Sequence, residues 1–216
     1  FEMGQMPTGV ASISTMFSSL LPFQIDYDTW KVWNSGAAVA EGWAGKEFDD
    51  AAWETKKAAE LGNHMGTTAY VRHEVNIPAI EDYHVLNVRV KYAGGVAAYF
   101  NGHLVARFNL PAVVNDGTPA PTAHNPTEFS LFHVVLLNQG AVEGLNVVAF
   151  ELHRAAQQSA ATAVVFDATG VFGVEDCSVV RDSLERVMGT EPAEGSLKAF
   201  LDLSPLTMVH LDNQEG

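Results

Sequence analysis

A chain of 216 residues is larger than one typical domain and smaller than two, so it can bury a sizeable core without disulfide or metal staples. Hydrophobic residues make up 47% and charged residues 18%, which excludes a disordered chain, and 18 glycines suit short strands joined by tight turns. With 12 Lys and Arg against 26 Asp and Glu the net charge is -14; without a basic patch, and the sequence contains none, this excludes a phosphate backbone or an anionic membrane as a partner.

Residues 1–25 include a charge-free run from Met3 to Ile25, but Pro7, Pro22 and many small polar residues break it. It reads as an extended N-terminal segment rather than a membrane span or a signal peptide. The opening on Phe1 reads as a piece cut from something longer. Residues 26–175 carry the main domain. Within it, residues 28–33 read as a strand, and Phe48-Asp49-Asp50-Ala51-Ala52-Trp53 as a tight turn in which an aspartate caps the backbone N–H groups of a short helical segment.

From Thr68 to Phe172 apolar and polar residues alternate in short bursts punctuated by Gly, Pro and Asn, the pattern of antiparallel strands with one wet face each. The bursts fall at residues 69–77, 85–92, 96–100, 103–108, 129–137, 145–153 and 163–174. Asn101-Gly102 joins two of them, and both residues tolerate positive φ, so it predicts a β-hairpin. Residues 110–127 hold four prolines and no periodicity, which predicts a long exposed loop of the kind that carries binding function. The predicted fold class is therefore all-β, a two-sheet antiparallel sandwich.

Residues 176–216 hold eight acidic and three basic side chains, with a short helix expected near residues 183–188 and an extended piece at 206–211. A segment of this size cannot bury enough to fold alone. It is a dependent C-terminal segment that packs on the main domain, pairs with another chain or begins a second module. Its Cys177 is the single cysteine, which excludes an internal disulfide and a cysteine-rich zinc site, and the surrounding acids blunt its reactivity.

Several stretches together match a known pattern. Trp30-Lys31-Val32-Trp33, Trp43, the Phe48 to Trp53 turn, Leu61-Gly62 and Ala69-Tyr70-Val71-Arg72 resemble the opening of galactose-binding-like β-sandwich domains attached to glycoside hydrolases. Tyr99-Phe100-Asn101-Gly102-His103-Leu104-Val105 resembles their Asn-Gly hairpin, and residues 143–152 resemble their Gly-x-Asn strand. The similarity spans about residues 26–173 and implies a jelly roll with loops free for a ligand. Some relatives bind sugars and others only pack beside a catalytic domain, so the fold does not decide between them. Residues 196–207 more faintly resemble the opening of a discoidin-type module, with Leu201 inserted and no Trp after Thr207.

An indole face can stack on a pyranose, so the four tryptophans are candidates. Trp43 and Trp53 flank the turn and are expected to plug the sandwich. Trp30 and Trp33 lie three apart and face opposite sides of a strand, with Trp33 the outward one. His103 and Arg107 on the hairpin and His124 with Asn125 on the long loop supply donors that read sugar hydroxyls. As isolated residues they also suit solvated surface. Asp26, Asp28 and Asp167 offer hard oxygens to a structural calcium ion, and no other cofactor is expected. The adjacent Asp49 and Asp50 fit backbone capping better than catalysis, and the eight histidines are scattered with no ligand spacing.

Nucleophile, phosphate-loop and dinucleotide motifs are absent from the sequence. The reading is a noncatalytic carbohydrate-binding or adhesion module of a larger extracellular or cell-surface protein. Its partners would be a glycan or glycoprotein and other domains of the parent chain, with neither nucleic acid nor membrane insertion. The alternative is a structural module that packs beside an enzyme domain or self-associates through its tail.

Overall fold

A computed structural model describes residues 22–23, 28–159 and 161–173. The expected C-terminal helix, the extended piece at 206–211, the discoidin-like stretch and Cys177 lie outside the described residues. So does most of the N-terminal segment. Among the described residues no helix is long and apolar enough to cross a membrane.

The fold is all-β, with two antiparallel sheets. Among the described residues nine strands run in chain order: β1 (Thr29–Trp33), β2 (Glu54–Lys57), β3 (Thr68–Ile77), β4 (Val85–Tyr92), β5 (Gly95–Phe100), β6 (His103–Phe108), β7 (Ser130–Val135), β8 (Gly144–His153) and β9 (Phe166–Gly173). A six-stranded sheet has the order β2-β1-β3-β8-β5-β6, and a three-stranded sheet has the order β7-β4-β9. The predicted bursts map onto β3 to β9 with boundaries shifted by a few residues. Strand β2 was not foreseen, because Glu-Thr-Lys-Lys has no apolar alternation; it forms by pairing with β1 from Thr29 opposite Lys57 to Val32 opposite Glu54.

Alternation sends one set of side chains between the sheets. Val71 and Val75 of β3 and Phe150 and Leu152 of β8 meet Leu86 and Val88 of β4, Phe132 and Val134 of β7 and Phe166 and Phe172 of β9 in one core. Trp30 sits at its centre, 1% exposed, with edge-on ring contacts to Phe23, Phe150 and Phe166. Such close-packed rings leave no room for substitution without a cavity.

The middle strands of the larger sheet are not wet on their other side. Tyr70, Val147 and Ala149 point outward yet are buried, together with Trp43, Ala44 and Trp53, in a second apolar cluster. Trp43 and Trp53 therefore do not plug the space between the sheets; they roof the outer face of the six-stranded sheet. The cause is Arg72 of β3, 3% exposed, whose guanidinium organises the connection between β1 and β2. Its Nε donates to Asp50 Oδ2 at 2.9 Å, its Nη1 donates to the carbonyls of Trp43 and Gly45, and it lies 5.1 Å over the Phe48 ring. Asp49 closes the turn, Oδ1 accepting from the Ala51 N–H at 2.9 Å, and no helical segment follows: the chain passes directly into β2.

The predicted hairpin is present, with φ of 48° at Asn101 and 88° at Gly102. Its Asn101 also reaches the start of β8: Nδ2 donates to Asn146 Oδ1 at 2.9 Å, while Oδ1 accepts from the Val147 N–H at 2.9 Å. The asparagines of the two sequence motifs thus hold one another. A bulge between Ala98 and Tyr99 makes Val105 an extra residue on β6, since Ala98 pairs with Ala106 and Tyr99 with Leu104.

Candidate functional site

The outer face of the six-stranded sheet is where polar and aromatic groups converge. Beyond Trp43 the outward positions are Thr68 and Tyr70 of β3, Glu151 and His153 of β8, Tyr99 of β5 and Arg107 of β6, brought side by side by the pairings Thr68 with His153, Tyr70 with Glu151 and Ala97 with both Glu151 and Arg107. The connection from β6 to β7, the predicted long loop, closes over one side. It is tied down at several points: Asp116 and Thr118 bond the sheet, Ala120 forms a parallel bridge with Ala155, and the His124 N–H donates to the Ala93 carbonyl at 2.8 Å.

Tyr70 donates its hydroxyl to Asp116 Oδ1, and the Tyr99 phenol lies beside the Glu151 carboxylate. Burial pushes both phenols well above their usual range; for Tyr70 the bond to Asp116 and then the Asp116 and Glu151 charges add to it, and for Tyr99 the Glu151 charge does. Both stay protonated and act as donors. The Trp43 ring meets Tyr70 at 4.8 Å and Tyr99 at 5.4 Å between centroids, both edge-on. Tyr99 and Glu151 are half-buried and Asp116 and Arg107 are exposed, so the cluster opens to solvent along Tyr99, Glu151, Asp116 and Arg107. It brings a phenol, two carboxylates and a guanidinium together beside an aromatic ring. A shallow groove of about 250 Å³ lies farther along the sheet beside Arg72, lined also by Lys31, Asp50, Thr55 and Glu74.

The structure does not gather the sequence-predicted site residues into one place. Trp33 is half-buried on the same outer face, its ring 6.1 Å from that of Trp53 and its Nε1 donating to the Ala37 carbonyl at 3.1 Å. Arg107 belongs to the outer-face cluster and also donates to the Ala112 carbonyl. His103 is exposed at the start of β6. His124 stacks on Tyr92 at 4.0 Å and Asn125 closes its own turn, Oδ1 accepting from the Thr127 N–H and hydroxyl. Asp28 is half-buried ahead of β1, Asp167 accepts from the Ala168 N–H at 2.9 Å, and Asp26 lies outside the described residues. Among the described residues no three His, Cys, Asp or Glu side chains gather where they could hold a metal ion.

Sequence reasoning missed Tyr70, Tyr99, Asp116, Glu151 and His153. The available signal was period two: Tyr70 and Tyr99 alternate with the core residues Val71 and Phe100, so both had to leave the sandwich interior.

No protein-family model matches the chain, and no curated protein does. Among solved structures it is similar to a glycosyl hydrolase family 2 member from Bacteroides cellulosilyticus, with TM-score 0.46 and 15% identity over 69% of this chain and 20% of that one. A calcium-binding mutant of Bacteroides uniformis β-glucuronidase 2 gives TM-score 0.44 and 16% identity over 68% of this chain and 18% of that one. A β-glucuronidase from an uncultured Clostridium gives 0.42 and 12% over 73% and 31%. The chain thus spans about one fifth of the length of the Bacteroides enzymes.

Proposed function

We propose that the chain is a galactose-binding-like β-sandwich acting as a noncatalytic carbohydrate-binding module of a larger extracellular protein, with the sugar seated on the outer face of the six-stranded sheet. The observation that carries this reading is the convergence of Tyr99, Glu151, Asp116 and Arg107 beside the Trp43 ring, all on rigid strands or on a loop tied to them. Fixed donors and acceptors around an aromatic edge suit a ligand made of hydroxyls and one apolar face. The carboxylates are engaged with Tyr70, Tyr99 and His153, which favours recognition over chemistry.

A glycan array run with and without a calcium chelator tests this. Wild type binds a defined glycan set, Tyr99→Ala and Arg107→Ala each weaken binding roughly tenfold, the worth of one charge-assisted or well-packed contact, and Trp33→Ala binds normally. Failure of wild type to bind any glycan would sink the reading.

The second reading, a structural module beside an enzyme domain or another copy, has its own observation. Among the described strands β7 ends the order of the smaller sheet, and Leu131 58%, Leu137 77%, Phe129 38% and Val135 37% are exposed along it. Such an edge invites pairing. Light scattering that shows large assemblies, lost in a Leu131→Lys and Leu137→Lys double variant, supports that reading instead.

A further inference from the structure

His153 is 2% exposed, and its ring nitrogens face three oxygens. Nδ1 lies 2.7 Å from the Thr118 carbonyl, which can only accept. It also lies 3.0 Å from Thr68 Oγ1, whose own hydrogen is directed at the Asp116 carbonyl 2.8 Å away. Nε2 lies 3.1 Å from Glu151 Oε2. A neutral imidazole has one N–H and would leave one nitrogen lone pair facing an oxygen lone pair in a buried site. With Glu151 ionised, donor and acceptor accounting is satisfied only when the ring carries both protons.

We propose that His153 is the positioning residue of the outer-face site: a buried imidazolium that fixes Glu151 on the sheet and holds the 116–118 stretch of the long loop above it. Its three partners come from three places, Glu151 on its own strand, Thr68 on β3 and Thr118 on the loop, so one proton joins the floor of the site to its wall. The titratable groups facing this centre are Glu151, Tyr70, Tyr99 and Asp116 on the site side and His64 and Arg154 on the other. Loss of the His153 proton removes the donor to either Glu151 or Thr118. The loop then loses its anchor, and the geometry of Asp116 with it.

The effect on sugar affinity rests on the function proposed above; the coupling of proton to loop does not. The test is a pH titration of 15N-labelled full chain, following the His153 ring nitrogens and the backbone amide shifts of Asp116 and Thr118. While the loop is docked both ring nitrogens are protonated, and ring and loop change with one midpoint. In Glu151→Gln both transitions move together to more acidic solution, and glycan affinity falls roughly tenfold across the same midpoint. A single protonated nitrogen with the loop docked, or separate midpoints for ring and loop, overturns the proposal. Glycan binding absent at every pH, with ring and loop still coupled, removes the sugar reading and leaves the positioning role standing.

Discussion

Arg72 shows how one side chain can organise a whole connection. Its guanidinium, buried on the outward face of β3, satisfies backbone carbonyls of the segment that carries Trp43 and Trp53 and pairs with Asp50, whose side chain is only 16% exposed. A lysine could not span these acceptors, because a point charge on a flexible stem lacks the planar fork. Arg72→Met keeps most of the packing volume but orphans Asp50 and the carbonyls of Trp43, Gly45 and Phe48. We expect it to cost about 3–5 kcal/mol, the toll of breaking a buried ion pair one partner at a time. The urea midpoint, followed by tryptophan fluorescence, checks this, and Asp50→Asn should cost less because an amide oxygen still accepts. Arg72 stood in the sequence as part of Ala-Tyr-Val-Arg, and alternation from Val71 could place it outward. Its burial was not legible, because the roof above it comes from residues 43–53, whose own pattern carries no period.

At the scale of elements, the long strands were legible and the coverings were not. Residues 85–92 and 103–108 were read with the bounds the structure shows, because apolar alternation and the Asn-Gly turn are local signals. Strand β2 and the docking of the β6 to β7 connection depend on partners distant in sequence, as when Ala120 bridges Ala155. The candidate site shares this fate: its residues come from β3, β5, β6, β8 and a loop, and only pairing brings them together. The turn between β4 and β5 offers a test of how tightly these elements fit. A Cβ on Gly94 would stand 2.0 Å from the His153 carbonyl oxygen and 3.1 Å from the Ala155 nitrogen. Backbone cannot yield as a flexible side chain does, so Gly94→Ala should destabilise by about 3 kcal/mol or more, in the overpacking range. Calorimetry reads the loss, and unchanged melting would show that the turn can slide away from β8.

For the molecule as a whole, acid is the condition to which this sandwich answers. His64 is 7% exposed; burial first, then the charges of Arg154 and His153, lower its pKa from 6.5 to about 4. The unfolded chain accepts this proton below about 6.5 while the folded chain refuses it until about 4, so unfolding takes up a proton between those values. The His64 contribution to stability is therefore fully present above pH 6.5 and is lost as pH drops through the window, on the order of 3 kcal/mol for this one group. Urea midpoints from pH 7 to pH 4 should decline in wild type and decline less in His64→Phe; parallel curves would contradict the assignment.

The irregularity in the β5–β6 ladder bears on how such a chain tolerates insertion and loss. Because Val105 is the surplus residue, pairs on both sides of it, Phe100 with His103 and Ala98 with Ala106, are each in proper alternation already. Deleting that single codon would straighten the ribbon rather than turn it over. The inward and outward sets would survive, the local twist would relax, and Tyr99 would swing with the flattened edge. This rim of the molecule is therefore one where evolution can shorten the backbone and re-aim an aromatic ring in a single step.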